Sequence, residues 1–503
     1  MAFWSGKYAA LLAAAALLLG LASCKSDRQE AALQNGQCDT YVGVSVRFPA
    51  PETRALPDDH NKLDGEWQGR DVIKAIKVYV ATTSNGTTTI SSNQFSETSF
   101  GGINNGILAP NLAVEAKSGD QVKVYVVIND VNSKVTSILD QKASDGATFD
   151  AEFQKAVAAV AAIADVAKYE AEKDIVLMTN EKAPVDMTIA PNVSKEDAIG
   201  GKANRVEVRV SRVASRAIVT VDDQVKKTIE VKRSLTDAQG VTKEETTATV
   251  TVKDIAYQVT GSALQFNVLE DRKDWKVAAP VYDFAPTSST WADLVTEGAN
   301  KMLYSDAEGY KAAITATDNT VDKVKKALGD EKFSKFVLPV THAEGKYMKG
   351  NTTMFEIKAT FTVDKIDGTA PADDAAKTVY LGLSDGKFYS TKEKAEAMDV
   401  NATSTSEKKQ SAKEYKNGEM YYYIWLNPNV DYNDLTKTIS ESPTVRNQVY
   451  HAHITGFGEM GVADKDEIKP DEPLETKKTH LSVQLQVLPW TIHSYKVDLI
   501  NRY

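Results

Sequence analysis

Two stretches near opposite ends of the chain carry the same folding instruction. Residues 41–48 read Tyr-Val-Gly-Val-Ser-Val-Arg-Phe, which sets Val42, Val44, Val46 and Phe48 on one face. Residues 480–488 read His-Leu-Ser-Val-Gln-Leu-Gln-Val-Leu and align Leu481, Val483, Leu485 and Val487 in the same way. Side chains alternate across a strand, so apolar residues at every second position specify a strand with one buried face. Burying four such side chains is worth roughly 6–12 kcal/mol before entropy is counted. Each stretch must therefore find a partner surface, in its own molecule or in another.

The flanks differ. The first stretch runs into Pro49-Ala-Pro51-Glu-Thr-Arg54-Ala55-Leu-Pro57-Asp-Asp59, whose prolines cannot continue a ladder. Such an exposed loop is where proteases cut, and Arg54 followed by Ala55 is the natural trypsin-like site. The second stretch follows Asp464-Lys-Asp-Glu-Ile-Lys-Pro470-Asp-Glu-Pro473-Leu-Glu475, an acidic segment that reads as a solvated, extended linker. Pro489 then interrupts, and Trp490, Ile492, Tyr495, Val497 and Leu499 continue an apolar pattern to the C-terminus. Two readings follow. Both terminal strands pair within their own molecule, or the N-terminal strand is a placeholder. In the second case its removal at Arg54 leaves a groove that another molecule's C-terminal strand fills by β-strand addition.

The apolar run Ala9 to Ala22, preceded by Lys7, has the proportions of a secretory signal. It is too short to span a bilayer, which takes roughly 20 helical residues. It ends Leu21-Ala22-Ser23-Cys24, a bacterial lipobox in which the Cys24 thiol receives a diacylglyceryl group. Cys24 and Cys38 are the two cysteines, too few for a disulfide framework or a cysteine zinc site. The formal charge of −10 is the wrong sign for holding nucleic acid by phosphate neutralisation.

The body reads as strands: Ala75 to Val80, Val122 to Ile128, Arg205 to Val213, Ala217 to Val221, Thr247 to Val252, Phe355 to Val363 and Val379 to Leu383. One long helix is expected over Phe149 to Glu172, with Phe153, Val157, Val160 and Ile163 at helical spacing. A shorter one is expected over Val321 to Leu328, capped from Asp318-Asn319-Thr320. Mostly strands without a βαβ rhythm predict a mainly β protein of antiparallel sandwiches with a few helices in insertions. The expected division is 1–24 signal peptide, 25–54 propeptide with the removable strand, 55–204 N-terminal sandwich, 205–463 C-terminal sandwich, and 464–503 linker and donor strands. The second boundary follows the Gly200-Gly201-Lys-Ala-Asn204 linker.

Several constellations fail as chemistry. Gly382-Leu-Ser384-Asp-Gly386 matches G-x-S-x-G, but Asp385-Gly386 signals a hairpin and a strand follows, where a nucleophile elbow needs a helix. His451 and His453 share a strand face with no third metal ligand nearby. Gly345-Lys346 and Gly386-Lys387 lack phosphate-loop spacing. Tyr421 to Trp425 could stack on sugars but reads better as a core strand. No catalytic residue, metal or cofactor is expected.

A family resemblance rests on Thr341-His342-Ala-Glu344, Lys349-Gly350-Asn351-Thr352-Thr353, Leu381-Gly382-Leu383 and Gly386-Lys387-Phe388-Tyr389. It continues through Tyr421-Tyr-Tyr-Ile-Trp425-Leu-Asn427-Pro428-Asn429, Arg446-Asn447, Lys478-Thr479-His480, Pro489-Trp490-Thr491 and His493-Ser-Tyr495. With the lipobox and Arg54-Ala55 in matching order, the chain resembles the major fimbrial subunit (fimbrillin) family of Bacteroidales, most of all the shaft subunits of the short fimbriae of Porphyromonas. The resemblance implies tandem transthyretin-like sandwiches and a lipoprotein precursor at the outer membrane. It implies cleavage after Arg54 by an arginine-specific protease, and a groove filled by Leu481, Val483, Leu485, Val487, Trp490, Ile492, Tyr495, Val497 and Leu499 of a neighbour. The implied partners are identical subunits and fimbrial tip, accessory and anchor proteins, with adhesion as the role. The rival readings are a fimbrial tip or accessory adhesin and a monomeric surface glycan-binding lipoprotein.

Overall fold

The computed structural model describes residues 23–25, 38–48 and 67–492, apart from residues 270–283, 475–480 and several shorter stretches. The longer elements are the strands Thr40–Arg47 (β1), Ala75–Ser84 (β2), Thr87–Ser96 (β3), Ala113–Ala116 (β4) and Gly119–Ile128 (β5). There follow the helices Thr136–Lys142 (α1) and Gly146–Lys155 (α2), the strand Met178–Asn180 (β6) and the helix Lys195–Ile199 (α3). The remaining strands are Arg205–Arg212 (β7), Ser215–Lys226 (β8), Thr228–Thr236 (β9), Thr242–Thr260 (β10), Met354–Val363 (β11), Glu419–Trp425 (β12), Gln448–Phe457 (β13) and Leu481–Ile492 (β14). Shorter elements are named by their residues.

Strands dominate, and they make two sandwiches. In the first, one layer runs β3-β2-β5-β6-β7 and the other runs from β7 through β1 to β4, Ile107–Leu108 and Ile103–Asn104. β7 serves both layers: Val210 to Arg212 pair with β6, while Arg205 to Arg209 pair in parallel with β1. The inward residues of both layers, among them Val44, Val78, Val124 and Val210, form one apolar core. In the second sandwich, one layer runs Ile314–Ala316, β8, β13, β14, Trp67–Gly69, and the other β9-β10-β11-β12. Its core is rich in aromatics, including Tyr257, Phe355, Phe361, Tyr422 and Tyr450. Pairing is mainly antiparallel, with one long parallel pair in each sandwich, β1 with β7 and β8 with β13.

A third core fills the space between them. Tyr79 and Tyr125 point from the outer face of β2 and β5 onto Phe149 and Phe153 of α2, with ring centroids 4.7–5.6 Å apart. Burial pushes both phenols well above the ordinary tyrosine range, and their hydroxyls donate to Asp140 and Asp150 at 2.8 Å. They are therefore fixed hydrogen-bond donors.

The long helix expected over Phe149 to Glu172 is a correction. It stops at Lys155, because Val157–Ala159 pairs as a strand with Gln265–Asn267. Alanine favours helix, so here the waiting strand partner outweighs helix propensity. Asp165 then accepts hydrogen bonds from the backbone N–H groups of Ala161 and Ala162, closing a 3-10 turn. The helix Val321–Leu328 matches its expected bounds. β7 pairs within the first sandwich and β8 within the second, with Val213-Ala214 between them.

Candidate functional site: the two terminal strands

β1 is an interior strand. Along one edge Gly43 to Arg47 pair with Arg205 to Arg209, and along the other Thr40 to Gly43 pair with β4 and Val46 and Arg47 with Leu108 and Ile107. Val42, Val44 and Val46 are fully buried and Phe48 is 2 % exposed, as the alternation required. The outward Arg47 makes a two-pronged pair with Glu207 on β7, at 2.5 and 2.8 Å. That hydrogen bond, outweighing partial burial, holds the Glu207 carboxyl below its ordinary value. Taking β1 away would leave a slot open to two ladders and an apolar floor.

The other terminal strand sits differently. β14 pairs antiparallel with β13, from Phe457 opposite Leu481 to Gln448 opposite Pro489, so Leu481, Val483, Leu485, Val487, Trp490 and Ile492 lie in a strand of their own molecule. On its far side only Trp490 to Ile492 have a partner among the described residues, the parallel strand Trp67–Gly69. Tyr495, Val497 and Leu499 lie outside the described residues, as do Arg54 and Ala55. Cys24 falls in Ser23–Lys25, a short strand parallel to β3. Cys38 stands in a disulfide.

The acidic segment before β14 is not a free linker through residue 474. Lys465–Glu467 forms a 3-10 turn, Gly350 N–H donates to the Pro470 carbonyl at 2.8 Å, and Leu474 is buried. The Trp291 indole N–H bonds the Ile468 carbonyl at 2.9 Å, and Lys349 pairs with Glu472. Its isoleucine, prolines and leucine supply enough apolar contact to dock it, which its charge obscured.

A buried ionic junction pins the chain between the two strands, and sequence reading missed it. Arg212, fully buried, forks onto Asp71 and reaches Asn447 Oδ1 at 2.8 Å. Arg216 bonds Asp174 and Ser334. Burial drives the Asp174 carboxyl up, while Arg216 pulls the other way. Arg446 ties the Arg212 and Ser211 carbonyls and Thr179 together at 2.6–2.8 Å. The available signal was an arginine at inward positions of otherwise apolar strands.

The remaining sequence candidates resolve as structure. His451 Nε2 and His453 Nδ1 both bond the Thr220 hydroxyl, at 2.7 and 2.8 Å, and His453 Nε2 reaches Asp222 at 3.1 Å. Among the described residues no group of three or more His, Cys, Asp and Glu side chains gathers to hold a metal. Ser384 lies in the tight turn after Val379–Gly382, where Gly386 has φ +64° and its N–H returns to the Gly382 carbonyl. Tyr422, Ile424 and Trp425 of β12 are core residues.

Residues 413–496 match the family model "Major fimbrial subunit protein type IV, Fimbrillin, C-terminal". Over 97 % of its length the chain is 29 % identical to a minor fimbrium subunit Mfa1 of Porphyromonas gingivalis, covering 98 % of that protein. The chain is similar to the fimbrillin family. A second Mfa1 sequence from the same species is 28 % identical over the same shares of both chains. Among solved structures, the fimbrilin of Porphyromonas gingivalis W83 overlays with a TM-score of 0.43 at 14 % identity, covering 90 % of this chain and 99 % of that one. The tip fimbrial protein Mfa3 overlays at 0.32 with 10 % identity, covering 90 % of this chain and all of that one. These similarities support a fimbrial subunit, a structural component of cell-surface appendages.

Proposed function

We propose that this chain is the polymerising shaft subunit of an outer-membrane fimbria, extended by strand replacement. The precursor is exported, lipidated at Cys24, and cut between Arg54 and Ala55 by an arginine-specific protease. β1 departs, and the C-terminal strand of another copy takes its slot. Tip, accessory and anchor proteins complete the fimbria, and adhesion is its role. The observation that carries this reading is the seat of β1: an interior strand with four buried apolar residues, followed at once by the proline-rich segment that holds Arg54. The resident pairing of β14 on β13 fits a stored donor, released when a neighbour offers a better-enclosed site.

The test is electron microscopy of the full-length protein after limited cleavage by an arginine-specific protease, with N-terminal sequencing. Filaments whose chains begin Ala55-Leu-Pro are expected, and Arg54→Ala should abolish both cleavage and filaments. Cleaved protein that stays monomeric, or filaments that begin at Cys24, would refute it.

A further inference from the structure

The slot holding β1 is closed on its outer side by α3 and the connector around it, residues 190–204. The connector clings to the first residues of β1. Tyr41 N–H donates to the Val193 carbonyl at 3.2 Å, Gly43 N–H to the Asn204 carbonyl at 2.8 Å, and Asn192 N–H to the Asp39 carbonyl at 2.9 Å. The Thr40 hydroxyl is a hub. It donates to the Ala190 carbonyl at 2.7 Å and accepts from Val193 N–H at 3.2 Å and Asn204 Nδ2 at 2.9 Å. α3 then crosses the strand at Gly43. A Cβ built there would stand 2.1 Å from the Ala198 carbonyl oxygen and 2.6 Å from its carbon. Both are backbone atoms, so no rotamer change relieves the clash, and α3 closes only over a glycine.

The terminal strands align in one register through this site. Thr40-Tyr-Val-Gly-Val-Ser-Val-Arg-Phe48 matches Thr479-His-Leu-Ser-Val-Gln-Leu-Gln-Val487, threonine on threonine and each apolar residue on an apolar one. The alignment puts Ser482 where β1 has Gly43. No residue between 480 and 503 is a glycine, so shifting the register does not remove the conflict.

We infer that α3 is a lid keyed to Gly43, which the chain's own β1 shuts and a neighbour's C-terminal strand forces open. Thr479 of the incoming copy takes the hub position of Thr40, and Ser482 displaces Ala198. This rests on the strand replacement proposed above. It adds the register of the occupant and a surface, residues 195–201, that differs between precursor and filament.

Hydrogen exchange separates the lid from the replacement. In the full-length precursor, Gly43→Ser should speed exchange at 195–201 by about tenfold or more while β1 and β7 keep their protection; Gly43→Ala should do so less. Unchanged lid exchange in both variants, or loss of β1 protection in both, overturns the lid. In cleaved protein given a synthetic peptide of residues 476–503, amides at 205–209 should regain precursor protection while 195–201 stay fast. A Ser482→Gly peptide should slow the lid again, and a Thr479→Val peptide should bind about tenfold more weakly. Lid protection equal to that of the precursor with the unaltered peptide overturns the lid alone. Failure of the peptide to protect 205–209 overturns the strand replacement beneath it.

Discussion

β1 and β14 share a sequence pattern and differ in enclosure. β1 has a ladder on both edges and a lid outside; β14 has one full ladder and, among the described residues, three paired positions on its other edge. The apolar alternation sets how much surface a strand must bury, and the neighbours set how hard it is to remove. A strand bonded on two edges must break two ladders to leave, whereas an edge strand breaks one. Under the proposed strand replacement, the same instruction yields a plug at one end and a donor at the other.

Removing the donor should have the largest effect. A chain lacking residues 481–503 should still be cut at Arg54 yet form no filaments, since β1 and its slot do not depend on β14; size-exclusion and electron microscopy check this. Filaments of ordinary length would end the plug-and-donor contrast. Next in size is the ionic junction. Asp71 lies just past the strand that pairs with β14, and Arg212→Ala would leave its carboxylate buried and unpaired. A loss of about 3–5 kcal/mol is expected, read from denaturant midpoints. A loss below about 1 kcal/mol would show that the body is not anchored separately from its terminal strands.

The smallest effect sharpens the hold on β1. The Glu207 carboxyl is held below its ordinary 4.5 chiefly by the hydrogen bond from Arg47. A depressed carboxylate stabilises the fold above its unfolded value and loses that contribution as pH falls through the lowered one. Precursor stability should therefore decline more steeply below about pH 4.5 in the parent than in Glu207→Gln, by under about 1 kcal/mol because the pair is partly exposed. Parallel curves would show that the clasp adds nothing.

What was legible in the sequence follows from what is local. The strands were readable from local signals: β1 lies where alternation put it, and β5, β7 and β11 lie where β-branched residues between turn formers put them. The end of α2 was not, since Val157 is a strand residue only by virtue of Asn267, more than a hundred positions away. The junction was hidden for the same reason. Arg212, Asp71 and Asn447 converge only after both sandwiches have formed, and an arginine in a strand usually marks the solvent face. At the site, the apolar positions of β1 and β14 could be read, but not the lid, because nothing around Gly43 announces Ala198.

The seat of β1 also has a mechanical meaning. Pulled along its axis, a strand laddered on both sides yields only when two rows of bonds shear together, whereas a strand held on one edge has a single row to shear. If fibres form by the proposed strand replacement, the occupant of the slot between β7 and β4 is loaded in the first way, and tension falls on a joint held by two ladders.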